Sequence, residues 1–441
     1  MLLRSRFRVR TLFFVLWSVC FSSSIANARV MFLDNPIRLP FSGFASSLAL
    51  VGDVDSDGVV DFLVGAYNHR WNNNDRQGRV FVFSGAKGKL LFAIDDPAPQ
   101  IEAAFGFAVA SAGDVNKDGA PDFLIGALGQ DGRGKAFVFN GKDGKLLYAL
   151  QAPKLQSGAG FGWAVASLGD LTNDGIPDLA VGAFAQENIG YVYLFNGSDG
   201  KPLRTIAPPA GSLAFGWSLS AAGDINKDGL SDIVVGAPYT TVGQNTVQGR
   251  VYVFSGKDDA LLLTVDNPQP TAGGVFGWRM TSVGDQDKDG VPDFLVGAPY
   301  QDVNKVIAQG AAYVFSGATG KLLFPLKDPV PRPYAVFGYT VAEGPDVNQD
   351  GVPELLVGAP YQTVDQFHVQ GEVFLFNGRD GRHLTTFDNP YPHQGSSFGY
   401  TVVSPGDING DKIPDFAIGA SGQGIMDKPA VGRVMVFLSQ Q

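Results

Sequence analysis

Along this chain, short apolar runs rich in Val, Ile, Phe and Tyr alternate with polar clusters of Gly, Asn, Asp and Pro, which is the pattern of strands and turns. The stretch 161–206 is representative. Phe161, Gly162 and Trp163 lead into an apolar run at 164–168. An acidic loop follows at 170–178, then a second run at 179–183, a loop, a third run at 190–195 and a fourth ending near Ile206. The turn at 196–201, Asn-Gly-Ser-Asp-Gly-Lys, has counterparts at 140–144 and 377–381, and Asn-Gly and Asp-Gly are hairpin chemistry. Beyond residue 28 no stretch keeps a helical spacing of apolar residues. The pattern predicts four antiparallel strands per unit.

The unit recurs. Loops of the form Asp-x-(Asp/Asn/Thr)-x-Asp-x-x-x-(Asp/Glu) begin at Asp53, Asp114, Asp170, Asp224, Asp285, Asp346 and Asp407, in steps of 61, 56, 54, 61, 61 and 61 residues. A period of this size marks a repeat architecture, and four strands repeated seven times make a seven-bladed β-propeller. A β-sandwich leaves the period unexplained, and a straight solenoid calls for atypical end repeats, which the sequence lacks. The ends of the chain sharpen the expectation. Residues 30–36, Val-Met-Phe-Leu-Asp-Asn-Pro, match the fourth runs at 264–268 and 386–390, whereas the last unit stops after its third run, 432–438. The expected fold is therefore all-β: a seven-bladed β-propeller of four-stranded antiparallel blades over residues 29–441, closed by the N-terminal strand completing blade 7. Closure removes two strand edges that would invite aggregation.

Residues 1–28 read as a signal peptide, with Arg4, Arg6, Arg8 and Arg10 before an apolar stretch at 12–21 and Ala26-Asn27-Ala28 as the cleavage site. Ten apolar residues fall short of the roughly 20 needed to cross a bilayer. The mature chain is expected to carry no transmembrane segment and to be secreted, whether extracellular, periplasmic or at the cell surface. The single cysteine, Cys20, lies in this segment. An exported chain without disulfides needs another staple, and bound metal serves. Without the signal, 29 basic and 43 acidic residues remain, a formal charge of −14. That balance and the lack of a basic tract argue against a nucleic-acid partner.

The acid excess gathers in the seven loops. Positions 1, 3, 5 and 9 offer side-chain oxygens: Asp53, Asp55, Asp57 and Asp61; Asp114, Asn116, Asp118 and Asp122; Asp170, Thr172, Asp174 and Asp178; Asp224, Asn226, Asp228 and Asp232; Asp285, Asp287, Asp289 and Asp293; Asp346, Asn348, Asp350 and Glu354; Asp407, Asn409, Asp411 and Asp415. Hard oxygen donors at this density, with a glycine at position 6 to wrap the backbone, suit Ca2+, up to seven ions. Few histidines accompany them, so zinc and copper are disfavoured. Loops 1 and 5 carry four carboxylates each and are expected to bind tightest. Loop 3, with Thr172, and loop 7, with Lys412 in place of the glycine, are expected to bind weakest.

Two further signatures flank the loops. Phe-Gly stands nine residues upstream at Phe105, Phe161, Phe215, Phe276, Phe337 and Phe398, and Gly-Ala-Pro follows at 236–238, 297–299 and 358–360. This arrangement resembles the FG-GAP repeat of the integrin α-chain head, and the likeness runs over essentially all of residues 29–441. The first unit departs most, with Phe44-Ala45. The resemblance implies a seven-bladed propeller with structural calcium in its 1–2 loops.

Antiparallel alternation puts the 1–2 loops on one face and the 2–3 loops on the other. After Phe-Gly comes an aromatic residue in six units: Phe107, Trp163, Trp217, Trp278, Tyr339 and Tyr400, with Ser46 in the first. These rings are placed to converge on the channel at the face away from calcium. Two readings stay open: packing between blades, or a ligand-binding mouth. In integrin α-chains the matching position forms an aromatic cup for a basic side chain. The 2–3 loops are long in units 1, 4, 5, 6 and 7, and one of them holds Trp71.

No HExxH, nucleophile elbow or phosphate-cradling loop is present, and His69, His368, His383 and His393 fall at unrelated repeat positions. The expected function is a binding or adhesion module for an extracellular protein or glycan. The alternative is a carbohydrate- or lipid-active enzyme using the channel.

Overall fold

Seven separate four-stranded antiparallel sheets, six of them in the order first-second-third-fourth strand, follow one another along the chain. The computed structural model describes residues 29–439, so the signal-peptide reading of residues 1–28 lies outside the described residues. Blade 1 is built from Phe44–Leu50, Phe62–Ala66, Arg79–Phe83 and Leu90–Asp95. Blade 7 is assembled from both ends of the described chain. Phe398–Gly406, Asp415–Ala420 and Arg433–Leu438 are completed by Arg29–Asp34, which pairs residue for residue with Arg433–Leu438. The expected seven-bladed propeller and its closure are what the structure shows. Among the described residues there is no α-helix, only two single turns of 3-10 helix at Gln130–Gly132 and Gln186–Asn188.

The apolar pattern follows each strand's place in its blade. In blade 3 the second strand, Asp178–Ala183, is buried throughout, and the third, Tyr191–Phe195, is buried after its first residue. Both lie between neighbouring blades, and strands covered on both faces read as continuous apolar runs. The fourth strand, Pro202–Ile206, at the rim, buries only its last residue. Each core is shared by two adjacent blades. At the closure, Leu33, Val434 and Val436 of blade 7 pack with Phe44, Phe62, Val64 and Phe81 of blade 1.

The paired signatures turn out to be one contact between blades. Each Phe is fully buried against its own third strand, as Phe215 is edge-on to Phe254 at 5.7 Å. The glycine after it presses its backbone carbonyl onto the second-strand glycine of the preceding blade. A Cβ on Gly297 would stand 2.0 Å from the Gly338 carbonyl oxygen, and one on Gly126 would stand 2.1 Å from that of Gly162. Since backbone cannot yield as a side chain can, Gly297→Ala is expected to destabilise by about 1–3 kcal/mol, read as a lower urea midpoint. An unchanged midpoint would refute the contact.

Acidic loops, an aromatic mouth and their relatives

In every acidic loop the first aspartate organises the turn. Asp53 accepts the N–H groups of Asp57 and Gly58, at 3.0 and 2.8 Å, and Asp285 accepts those of Asp289 and Gly290 at 3.0 and 2.8 Å. The loop needs left-handed backbone at two places, not one. Position 6 is glycine in six loops, and position 4 is also left-handed, at Ser56, Lys117, Asn173, Lys227, Lys288, Gln349 and Gly410. Loop 7 exchanges the two: its glycine sits at position 4, and Lys412 takes position 6 with φ 70°. The Lys412 N–H still reaches Asp407 at 2.7 Å, so the turn survives.

The ninth residue is fully buried in all seven loops. It acts as a clamp: Asp61 accepts the N–H of Val54 within its own loop and that of Gly85 in the 3–4 turn, at 2.7 and 2.8 Å. Asp122, Asp178, Asp232 and Asp293 do the same, and Asp415 accepts the N–H of Ile408 and, just past the third strand of blade 7, that of Ser439, at 2.9 and 2.8 Å. The 1–2 loop and the 3–4 turn are thereby fastened together on one face. Burial pushes Asp122, Asp293 and Asp415 up to about 6. The longer Glu354 leaves its Oε2 buried without a hydrogen-bond partner; burial and then the Asp346 and Asp350 charges push it up to about 8.

This chemistry fits a hard divalent cation. Carboxylate oxygens converge within 4.8 Å of one another in loop 1 (Asp53, Asp55, Asp61) and loop 5 (Asp285, Asp287, Asp289). In loop 1 the Lys87 ammonium reaches in, 2.9 Å from Asp57, where positive charge is wanted.

On the opposite face the structure brings the six post-Phe-Gly rings into one chain of contacts. Centroid separations are 4.6 Å for Phe107–Trp163, 4.3 Å for Trp163–Trp217, 4.8 Å for Trp217–Trp278, 5.7 Å for Trp278–Tyr339 and 5.1 Å for Tyr339–Tyr400. Trp217 and Tyr339 are buried, whereas Phe107, Trp163, Trp278 and Tyr400 keep part of their surface open. Ser46 leaves a gap in blade 1. Tyr67 fills it, 5.3 Å from Phe107 and near the Tyr400 phenol. Phe184, Tyr239, Tyr300 and Tyr361 back the ring from the starts of the 2–3 loops. The sequence reading missed this second tier; aromatics recurring just after Gly-Ala were its signal. Arg279, beside Trp278, adds a positive charge that acts on the Tyr339 phenol. Trp71 is not a free aromatic: the Arg79 guanidinium lies 3.8 Å over its ring, packing it onto its own blade.

A further acidic group lies outside the repeat motifs. The third strands of blades 1, 4 and 7 open with Arg79, Arg250 and Arg433, each 2.6 Å from the aspartate opposite on the fourth strand. Blade 6 opens with Glu372, in register with Asp388. Burial, and then the Asp388 charge, push Glu372 up to about 8.

The fold and its loops define a seven-bladed propeller with an acidic loop in every blade. The FG-GAP repeat matches residues 44–83, 215–254 and 337–376, and an FG-GAP-like repeat matches 114–181. The chain is similar to integrin alpha-5 of Xenopus laevis, 33% identical over 233 residues, covering 49% of this chain and 21% of that one. It is also similar to integrin alpha-3 of Mus musculus, 29% identical over 243 residues (52% and 22%), and to integrin alpha-V of Gallus gallus, 31% identical over 217 residues (42% and 19%). It thus carries FG-GAP repeats and resembles the integrin alpha propeller, and the matches span about a fifth of these relatives' length. No helix among the described residues is long and apolar enough to cross a membrane.

Proposed function

We propose that this chain is an exported binding or adhesion module, braced by calcium in its 1–2 loops, that takes an extracellular protein or glycan at the aromatic mouth. The observation that carries this reading is the unbroken run of six rings around the channel, four of them still partly open. A core has no need to leave such rings at a channel entrance, and flat π-faces recognise sugars and cations. Arg279 weighs on the choice between them. Arg279 is exposed, and its screened repulsion offsets part of the roughly 0.5–1 kcal/mol that a second cation would gain from an exposed cation–π contact. A neutral sugar face meets no such repulsion, so a glycan is the better match.

The calcium assignment rests on the oxygen-only donor sets and on the unpartnered Glu354 oxygen. Asp53, Asp285 and their counterparts shape the loops, and the ninth residues tie each ion to the 3–4 turn. The ion supplies the positive charge that gathers the carboxylates.

Trp163→Ala and Trp278→Ala are expected to weaken binding of a glycan found by array screening at least about tenfold, since loss of a stacked aromatic costs on the order of 1–3 kcal/mol. Calorimetry on the calcium-loaded protein checks this. Unchanged affinity in both variants would place the ligand elsewhere, and release of shortened glycan would favour the enzymatic alternative.

A further inference from the structure

We propose that the seam between blades 1 and 2, on the mouth-bearing face, is latched by a proton: Asp96 in its acid form donates to the Gln130 amide oxygen, and ionisation of Asp96 opens the latch. The seam between blades 6 and 7 supplies the template. In the turn leaving blade 6, Asn389 Oδ1 accepts the Tyr391 N–H at 2.9 Å, and Gln423 Nε2 donates to the Tyr391 carbonyl at 3.5 Å. Asn389 Nδ2 closes the triangle by donating to Gln423 Oε1 at 2.9 Å. Between blades 4 and 5, Asn267 donates to Gln301 in the same way, at 2.8 Å. One amide N–H thus ties the turn leaving a blade to the 2–3 loop of the next.

Asp96 takes the asparagine's place, at the same spacing from Gln130. Two sides of the triangle are kept: Asp96 Oδ1 accepts the Ala98 N–H at 2.9 Å, and Gln130 Nε2 donates to the Ala98 carbonyl at 2.8 Å. Both side chains therefore grip one residue, and the amide cannot turn over without losing its bond to Ala98. The third side has lost its hydrogen. Asp96 Oδ2 and Gln130 Oε1 are both acceptors and both lack a partner, in residues only 2 and 1% exposed. Lys135, Asp131 and Asp95 are the charged groups facing Asp96. Lys135 is held by Asp131 at 2.7 Å, and Asp95 holds Arg79 at 2.6 Å, so neither cation closes the gap.

Buried oxygens normally find a donor, and one proton satisfies two facing acceptors. Burial favours the same acid form and pushes Asp96 up to about 6. The triangle recurs between blades 5 and 6. Asp328 Oδ1 accepts the Val330 N–H and Gln362 Nε2 donates to the Val330 carbonyl, both at 2.8 Å, and again Asp328 Oδ2 and Gln362 Oε1 lack a partner. There Arg332 and Glu372 also act on the acid, so Asp96 is the cleaner probe. Tyr67 and Phe107 meet across the blade 1–2 seam, so an open latch loosens the mouth where Ser46 already leaves its gap. The latch is complete below the unfolded carboxylate value near 4 and is lost as pH rises through about 6. The asparagine latches do not titrate.

The test melts the parent and Asp96→Asn in saturating calcium at pH 5 and pH 8, so that the loop carboxylates act alike in both chains. Asp96→Asn installs the amide that blades 4 and 6 already use. Its melting temperature is expected to gain on the parent's by roughly 2–4 °C between pH 5 and pH 8. Amide hydrogen exchange at residues 100–104 and 130–134 reads the seam itself. Taken as the ratio of parent to variant, so that intrinsic chemistry cancels, it is expected to be near one at pH 5 and about threefold or more at pH 8. A melting difference that does not change with pH, or an exchange ratio that stays at one, overturns the proposal. Vacant repeat loops or a ligand bound elsewhere would sink the readings above and leave this comparison unchanged.

Discussion

A chain lacking residues 29–38 is expected to lose its sharp thermal transition and to form soluble aggregates. Arg29–Asp34 supplies the whole outer strand of blade 7, six residues in unbroken register with Arg433–Leu438. Asp34 receives two hydrogen bonds from Arg433, at 2.6 and 3.0 Å, and that guanidinium lies 4.4 Å over the Phe32 ring. Leu33 is fully buried in the core shared with blade 1. Beyond the strand, Asn35 is buried and donates to Ser42 at 2.9 Å, holding the chain on its way into blade 1. Without the segment, the Arg433–Leu438 edge has unpaired N–H and C=O groups beside apolar side chains, a template for another chain. A single substitution isolates the core contribution: Leu33→Ala is expected to cost about 2–5 kcal/mol. Calorimetry and light scattering read both variants. A synthetic peptide of residues 29–38 should restore the transition by strand addition. A truncated chain that melts at the parent's temperature with the parent's sharpness would show that the closing strand contributes little.

Removing calcium is expected to make stability fall as pH rises from 5 to 8, and restoring it to reverse that slope. The ninth-position carboxylates carry the effect. Their folded values lie above the usual carboxylate range, about 6 for Asp122, Asp293 and Asp415 and about 8 for Glu354. The metal-free folded state therefore holds protons that the unfolded chain has released. Stability is fully present below the unfolded value near 4 and is lost as pH passes through the folded values. A shift of about two units is worth on the order of 2–3 kcal/mol per group. Loop carboxylates with lowered values, such as Asp118, which accepts the Ala120 N–H, finish titrating below this window. His69, lowered to about 4 by burial and by Arg79, works the other way: its unfolded value of about 6.5 lies inside the window, so this one group adds stability as pH rises from 5 to 7, against several carboxylates. On the proposed assignment calcium takes the ionised carboxylates and competes with protons, so it is expected to stabilise most at pH 8. Thermal unfolding at pH 5 and 8, in chelator and in calcium, checks the sign. Equal melting temperatures in chelator at both pH values would remove the buried carboxylates as the cause.

The division between what could be read in advance and what could not follows from range. Strand content, blade number, the seven loops and ring closure are set by local period and by the likeness of residues 30–36 to other fourth runs. All of these repeat, and repetition averages out the noise of any single unit. The six aromatic rings were found by the same means, because each follows Phe-Gly at a fixed step. Tyr67 escaped because it fills the place of Ser46 from a different strand, a substitution visible only once the blades stand side by side. The second left-handed position of the acidic loops escaped because serine, lysine, asparagine and glutamine occupy it, and none of them announces that conformation as glycine does.

By itself, then, the sequence determined the fold, the order of the blades and which face carries the acidic loops, since each depends on periods of two residues or of one unit. Tertiary structure alone decided the rest. It made Gly297 and the Gly338 carbonyl one contact, bound the ninth carboxylates to the 3–4 turns, and set Glu372 against Asp388. Those pairings join residues in different strands or blades, where the energy of a buried charge or a close backbone approach depends on what the fold brings alongside.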